Sequence, residues 1–115
     1  MIKQGEVYLV DFAKKYNSEF GKVRPAVVLQ NNFLNKSLGV AKYQSVLVVP
    51  LSTKDIQTEY KIEILPRDNL KEKSFIVANW LCTLDMKRIQ LDKGILTKLE
   101  VDELQKLKSK ICDLI

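Results

Sequence analysis

Arg24 stands directly before Pro25 and the apolar run Ala26-Val27-Val28-Leu29, and it is one of only three arginines among nineteen basic residues. Proline fixes its own φ and confines the residue before it to extended conformations, so the Arg24 backbone is held at the mouth of an expected buried strand. A planar, permanently charged fork delivered from a rigid strand end suits the recognition of phosphate. Two further groups sit at strand ends: Glu19 with Gly21 in the preceding loop, and Ser52-Thr53 just after Pro50-Leu51. If the strand that begins at Arg24 pairs antiparallel with the strand that ends near Leu51, the start of one lies beside the end of the other. Arg24 and Ser52 are then neighbours.

The chemistry open to such a site is narrowed by what the chain lacks. There is no histidine, which removes the commonest general base near neutral pH and the base of Ser-His and Cys-His nucleophile pairs. Catalysis has to run on Arg, Lys, Glu, Asp, Tyr or hydroxyl groups. Cys82 and Cys112 lie far apart with no CxxC spacing, so no thiolate metal centre is expected, and both are read as buried, reduced thiols.

Around the site, Lys14, Lys15, Lys22 and Lys54 can form a rim that tracks phosphates, and a solvated basic loop explains them equally well. Phe20 and Trp80 can stack on bases, worth roughly 1–3 kcal/mol each in single-strand recognition; core or interface packing is the plainer reading of Trp80. Glu19 is an auxiliary base or a solvated surface carboxylate. Ser52 and Thr53 have a turn or capping role as their ordinary alternative.

The elements that must position these residues follow from periodicity. At 115 residues and 46% hydrophobic content, residues 1–115 are expected to form one domain around a single core. Glu6 to Phe12 reads as a strand apolar on both faces, Val23 to Gln30 as a second, and Ser45 to Leu51 as a third whose Pro50 belongs at an end or edge. Asn31 to Lys36 is a turn or one short helical turn. Tyr60-Lys61-Ile62-Glu63-Ile64 alternates cleanly as a half-exposed strand, and Ser74 to Leu81 gives a fifth leading into Thr83-Leu84. The last eighteen or so residues change period: Thr97 and Glu100 have capping-box spacing, and Val101, Leu104, Leu107, Lys108, Ile111, Leu114 and Ile115 form a helical stripe. Five short strands and one C-terminal amphipathic helix predict a mainly β, α+β fold: a small SH3-like, strongly bent antiparallel sheet or partly open barrel.

The net charge of +5 and pI near 9.2 favour an anionic partner, nucleic acid or an acidic protein segment, alongside the bland reading of a lysine-rich surface. No apolar run reaches bilayer-spanning length and the N-terminus has no apolar core, so a soluble, cytoplasmic protein without membrane contact is expected.

With these pieces in hand the chain resembles the PemK/MazF-like toxins of bacterial type II toxin-antitoxin systems. The matching segments are Gly5 to Asp11, Ser18 to Asn31 with its Ser-Glu-x-Gly-x-x-Arg-Pro core, Val48 to Thr53, and Ser74 to Ala78 with Thr83-Leu84-Asp85. They span almost the whole chain in the family's order. The resemblance implies a sequence-selective, metal-independent endoribonuclease that cleaves single-stranded RNA by attack of its own 2′-hydroxyl, with no cofactor. It implies a homodimer restrained by a cognate antitoxin with an acidic, partly disordered tail, in a complex that binds DNA. Arg24 matches the family's catalytic arginine and Ser52 its catalytic hydroxyl residue, with Thr53 beside it. The chain departs from the family at Asn79-Trp80-Leu81-Cys82-Thr83, where Trp80 and Cys82 replace a glutamine and a basic residue. Two other readings stay open. One is a non-enzymatic toxin resembling the gyrase inhibitors that share the fold, against which the ending Ile111-Cys112-Asp113-Leu114-Ile115 argues; the other is a catalytically inactive RNA- or protein-binding module.

Overall fold

Alternation in the three central strands puts apolar side chains on both faces of one sheet. The computed structural model describes residues 1–12, 23–40, 42 and 44–115. Strand β1, Glu6–Asp11, pairs antiparallel with β2, Val23–Val28, with Val7 opposite Val27 and Val10 opposite Arg24. β2 pairs in turn with β3, Ser45–Ser52. Val7, Val27, Val49 and Leu51 project to one face, and Tyr8, Val10, Ala26, Val28, Val46 and Val48 to the other. A strand covered on both sides is selected by β-branched residues, each worth roughly 1.5–3 kcal/mol when fully buried.

Strand β3 is the hub. Besides β2 it pairs with β5, Ser74–Val77, and with β6, Cys82–Asp85; β5 pairs with β4, Lys61–Ile64, and β1 with the two-residue β7, Thr97–Lys98. The strand order is β4-β5-β3-β2-β1-β7, with β6 joining β3. Helix α2, Val101–Cys112, closes the first face through Leu107, which is fully buried, with Ile111 packed beside it. Helix α1, Asn32–Lys36, is one short turn capped by Asn31, whose side chain accepts from Leu34 N at 2.9 Å. The result is the curled, mainly antiparallel sheet with a C-terminal helix that the periodicity predicts. No helix among the described residues is long and apolar enough to cross a membrane.

Several expected details differ. The single strand over Ser74–Leu81 is broken: β5 stops at Val77, a 3-10 turn occupies Ala78–Trp80, and β6 starts at Cys82. A continuous apolar run cannot reveal that its two halves pair with different stretches of β3. The second strand stops at Val28, and Pro50 lies within β3 rather than at its end. Thr97 does not cap the last helix, because it is committed to β7. Glu100 caps it instead, its own N–H donating to Glu103 Oε1 at 2.8 Å in a capping box shifted by three residues. The apolar stripe is narrower than expected, with Val101 80% and Ile115 103% exposed.

The cysteines also split. Cys82 is half-buried and burial pushes its thiol pKa up, whereas Cys112 is exposed, since it lies about 140° around the helix from Leu107 at 100° per residue. Maleimide labelling of the native protein at pH 7, followed by peptide mass spectrometry, should modify Cys112 at least about tenfold faster than Cys82, because burial both shields the Cys82 thiol and disfavours its thiolate. Equal rates would show that β6 opens readily from β3.

Candidate active site where the ladder between β2 and β3 stops

Two prolines decide where the pairing of β2 with β3 ends. Leu29 N donates to Leu47 O at 3.0 Å, so odd-numbered β2 residues exchange hydrogen bonds with β3 and even-numbered ones do not. Ala26 opposite Pro50 is therefore a non-bonded pair, and the Pro50 nitrogen faces the other side of β3. There β6 has already ended opposite Val48 and β5 begins only opposite Leu51. The missing donor falls in the gap between two partner strands, which is why a mid-strand proline is tolerated.

Pro25 is placed by the same logic. Leu9 O accepts from Gln90 N at 2.8 Å and so faces away from β2, which makes Leu9 opposite Pro25 a non-bonded pair on the β1 side. The Pro25 nitrogen thus faces β3 at the position where the next bond of that ladder would form. It has no hydrogen to give. The ladder stops at Ala26–Pro50 while β2 runs back to Val23 and β3 runs on to Ser52. Arg24 precedes the last pair of that ladder by two residues on β2 and Ser52 follows it by two on β3, so both stand at the same end of the two strands, and alternation assigns both to the face that carries Ala26, Val28, Val46 and Val48.

Arg24 is half-buried, its Nε fully so, and its backbone is held on the other side by Val10. The guanidinium carbon lies 5.7 Å from the centre of the Trp80 ring. Ser52 is 8% exposed, pairs with Phe75 of β5, and its Oγ accepts from Lys54 N at 3.1 Å. That local bond occupies an acceptor site and leaves the hydroxyl hydrogen available to donate. Thr53 and Lys54 are exposed in the bend that follows. Arg24, Ser52 and Trp80 are thus brought to one end of the sheet from three different elements. Lys14, Lys15, Glu19, Phe20 and Lys22 lie outside the described residues.

Sequence reasoning missed two things. The contact of Trp80 with Arg24 depends on the 3-10 turn, which only the split pairing of β5 and β6 with β3 creates. The other is Arg67: its guanidinium makes four hydrogen bonds, to both Glu103 carboxylate oxygens, Thr97 Oγ1 and Lys98 O. All of those partners lie thirty or more residues away in sequence. Among the described residues no cluster of three or more His, Cys, Asp or Glu side chains could hold a metal ion.

Comparison with known proteins supplies the context for this geometry. Residues 3–115 match the family model of the PemK-like, MazF-like toxins of type II toxin-antitoxin systems. The endoribonuclease MazF of Staphylococcus epidermidis is 35% identical over 95 residues, 78% of this chain and 73% of the relative. Among solved structures, MazF of Deinococcus radiodurans superposes with a TM-score of 0.74 at 18% identity, covering 98% of this chain and 94% of that one. A mycobacterial endoribonuclease in complex with its cognate antitoxin gives 0.72 at 18% identity, over 98% and 93%. At such identities these superpositions speak to the fold, the same curled sheet with its terminal helix. The family match across nearly the whole chain goes further, and on it the chain belongs to the PemK-like, MazF-like toxins of type II toxin-antitoxin systems.

Proposed function

We propose that this toxin is an endoribonuclease that cleaves single-stranded RNA without a metal ion, using Arg24 and Ser52. The observation that best supports the reading is the register: the antiparallel pairing of β2 with β3 stops at Ala26 opposite Pro50, two residues short of Arg24 on one strand and of Ser52 on the other, and the Arg24 guanidinium meets the Trp80 ring. In the reaction the 2′-oxygen attacks the adjacent phosphorus, the bond to the 5′-oxygen breaks, and the proton leaving the 2′-hydroxyl is balanced by one gained at the 5′-oxygen. The products are a cyclic phosphate and a 5′-hydroxyl end. Charge builds on the equatorial oxygens of the phosphorane, where a guanidinium gives two parallel hydrogen bonds and a hydroxyl a third. Arg24 acts first as an electrostatic stabiliser, since a guanidinium is a poor base. Glu19 is the auxiliary base, Thr53 a second hydroxyl near the scissile group, and the lysine rim tracks the backbone.

The remaining parts of the reading follow the family. The +5 charge suits both RNA and an acidic antitoxin tail that orders on binding. The working form is a cytoplasmic homodimer.

The test is a long single-stranded RNA incubated with purified protein in EDTA. Discrete fragments with 5′-hydroxyl ends are expected; intact RNA that shifts in a gel would identify a binder instead. Ser52→Ala should slow cleavage about 10- to 100-fold, the worth of one hydrogen bond to a charged group, with little change in melting temperature. Single-turnover rates check it, and an undiminished rate would remove Ser52 from the site.

A further inference from the structure

We infer that Trp80 is a positioning residue that holds the Arg24 guanidinium in its productive orientation, rather than a platform for an RNA base. The inference rests on the reading of Arg24 as the phosphate-binding group.

Both partners are presented from fixed backbone. Arg24 is locked by Pro25 behind it and by pairing with Val10. Trp80 ends the 3-10 turn Ala78–Trp80, which is pinned where Ala78 N donates to Tyr60 O at 2.7 Å and closed where Leu81 N donates to Ala78 O at 3.2 Å. With both backbones set, what remains free is side-chain rotation, and arginine has much of that to lose. A guanidinium 5.7 Å from the ring centre gains cation–π attraction. A contact of this kind engages the π face of the ring with the charge of the guanidinium and not with its N–H hydrogens. It therefore biases the direction of the fork without using its donors. It also engages the indole: Trp80 is half-buried, and ring surface occupied by Arg24 is not available to a base. The turn that carries Trp80 lies beside the gap at Pro50, between the stretches of β3 that take β6 and β5, so the same interruption of the sheet that ends the ladder admits the ring.

A group that orients the charge-binding residue acts on the transition state and lowers kcat, whereas a base platform binds ground and transition states alike and its loss raises KM. Trp80→Leu should lower kcat about tenfold while KM on a single-stranded RNA changes less than about twofold, and Trp80→Phe should keep most of the rate. In an Arg24→Ala background, Trp80→Leu should cost nothing further. A raised KM with unchanged kcat, or the same loss in both backgrounds, overturns the inference. Should Trp80→Leu not fold, the contact can be read directly, because Trp80 is the chain's one tryptophan. Arg24→Ala should shift its emission, and an unmoved spectrum is the overturning result. The two readings fail separately: wild-type cleavage by Arg24→Ala removes the proposed site and this inference with it, whereas full kcat in Trp80→Leu beside an inactive Arg24→Ala removes this inference alone.

Discussion

Arg24→Ala should reduce RNA cleavage by about 10³-fold or more while the melting temperature moves by only a few degrees. The first half follows from what the side chain replaces. A phosphorane gains negative charge as it forms, and two donors aimed in advance at its oxygens stabilise it without reorganisation, in a setting where water is partly excluded. The second half follows from where the residue sits. Register at the start of β2 is held by backbone pairing with β1 and by the conformational restriction that Pro25 imposes, neither of which needs the guanidinium. Truncation gives up the contact with Trp80, a partly exposed interaction worth about 0.5–1 kcal/mol. Arg24→Lys separates charge from geometry: an ammonium keeps the charge but cannot form the fork, and it should recover little of the lost rate. Single-turnover cleavage and thermal melts of the three proteins decide the matter. An Arg24→Lys variant with near wild-type activity would mean that charge alone suffices.

The parts of the fold that could be read in advance are those whose cause is local. Alternation exposes both apolar faces of β1 and the half-exposed β4, a shift to helical period marks α2, and Arg-Pro with Pro-Leu-Ser marks where two strands end. Even the placement of Arg24 and Ser52 at one end of the sheet follows from one assumption, antiparallel pairing of β2 with β3. What stayed hidden depends on distant partners. Nothing in Ser74–Leu81 tells that its two ends meet different stretches of β3, so the turn and the placement of Trp80 were unreadable. Thr97 carries the right spacing for a cap, yet its hydroxyl donates to Asp68 Oδ2 at 2.7 Å and accepts from Arg67 Nε at 3.1 Å. A buried hydroxyl with two such partners stays where it is, and the helix terminus is served by the Glu100–Glu103 capping box instead. Pro50 is the instructive intermediate case: the rule that proline avoids sheet interiors holds atom by atom, because its nitrogen faces a gap, although the residue itself is interior.

Arg67→Ala should cost roughly 2–3 kcal/mol and lower the melting temperature by about 10 °C, making it a large stability effect from a residue remote from the chemistry. Its fork meets the Glu103 carboxylate with both bonds at 2.8 Å, and the same side chain reaches Thr97 and Lys98 O, so the turn after β4 is tied to β7 and to the first turn of α2. The two side chains are only 25% and 20% exposed, which lifts the pair above an ordinary surface ion pair, and truncating one partner leaves Glu103 partly buried without its cation. The pH dependence has a definite sign. Burial alone would raise the Glu103 pKa, but the hydrogen bond from Arg67, the Glu100 backbone N–H and the nearby cations outweigh it, and the carboxyl is held below its ordinary 4.5. The unfolded chain therefore takes up that proton first as pH falls. The contribution of the pair is fully present above about 4.5 and is lost as pH drops through the lower folded-state value. Urea unfolding of wild type and Arg67→Ala should show a wide gap in midpoint at pH 7 that narrows strongly by pH 3; a gap of equal width at both would mean that Arg67 stabilises through packing and its bonds to Thr97 and Lys98 alone. None of Arg24, Ser52 and Trp80 lies on β7 or α2, so Arg67→Ala assayed well below its melting temperature should cleave RNA at the wild-type rate, which separates what holds this fold from what it does.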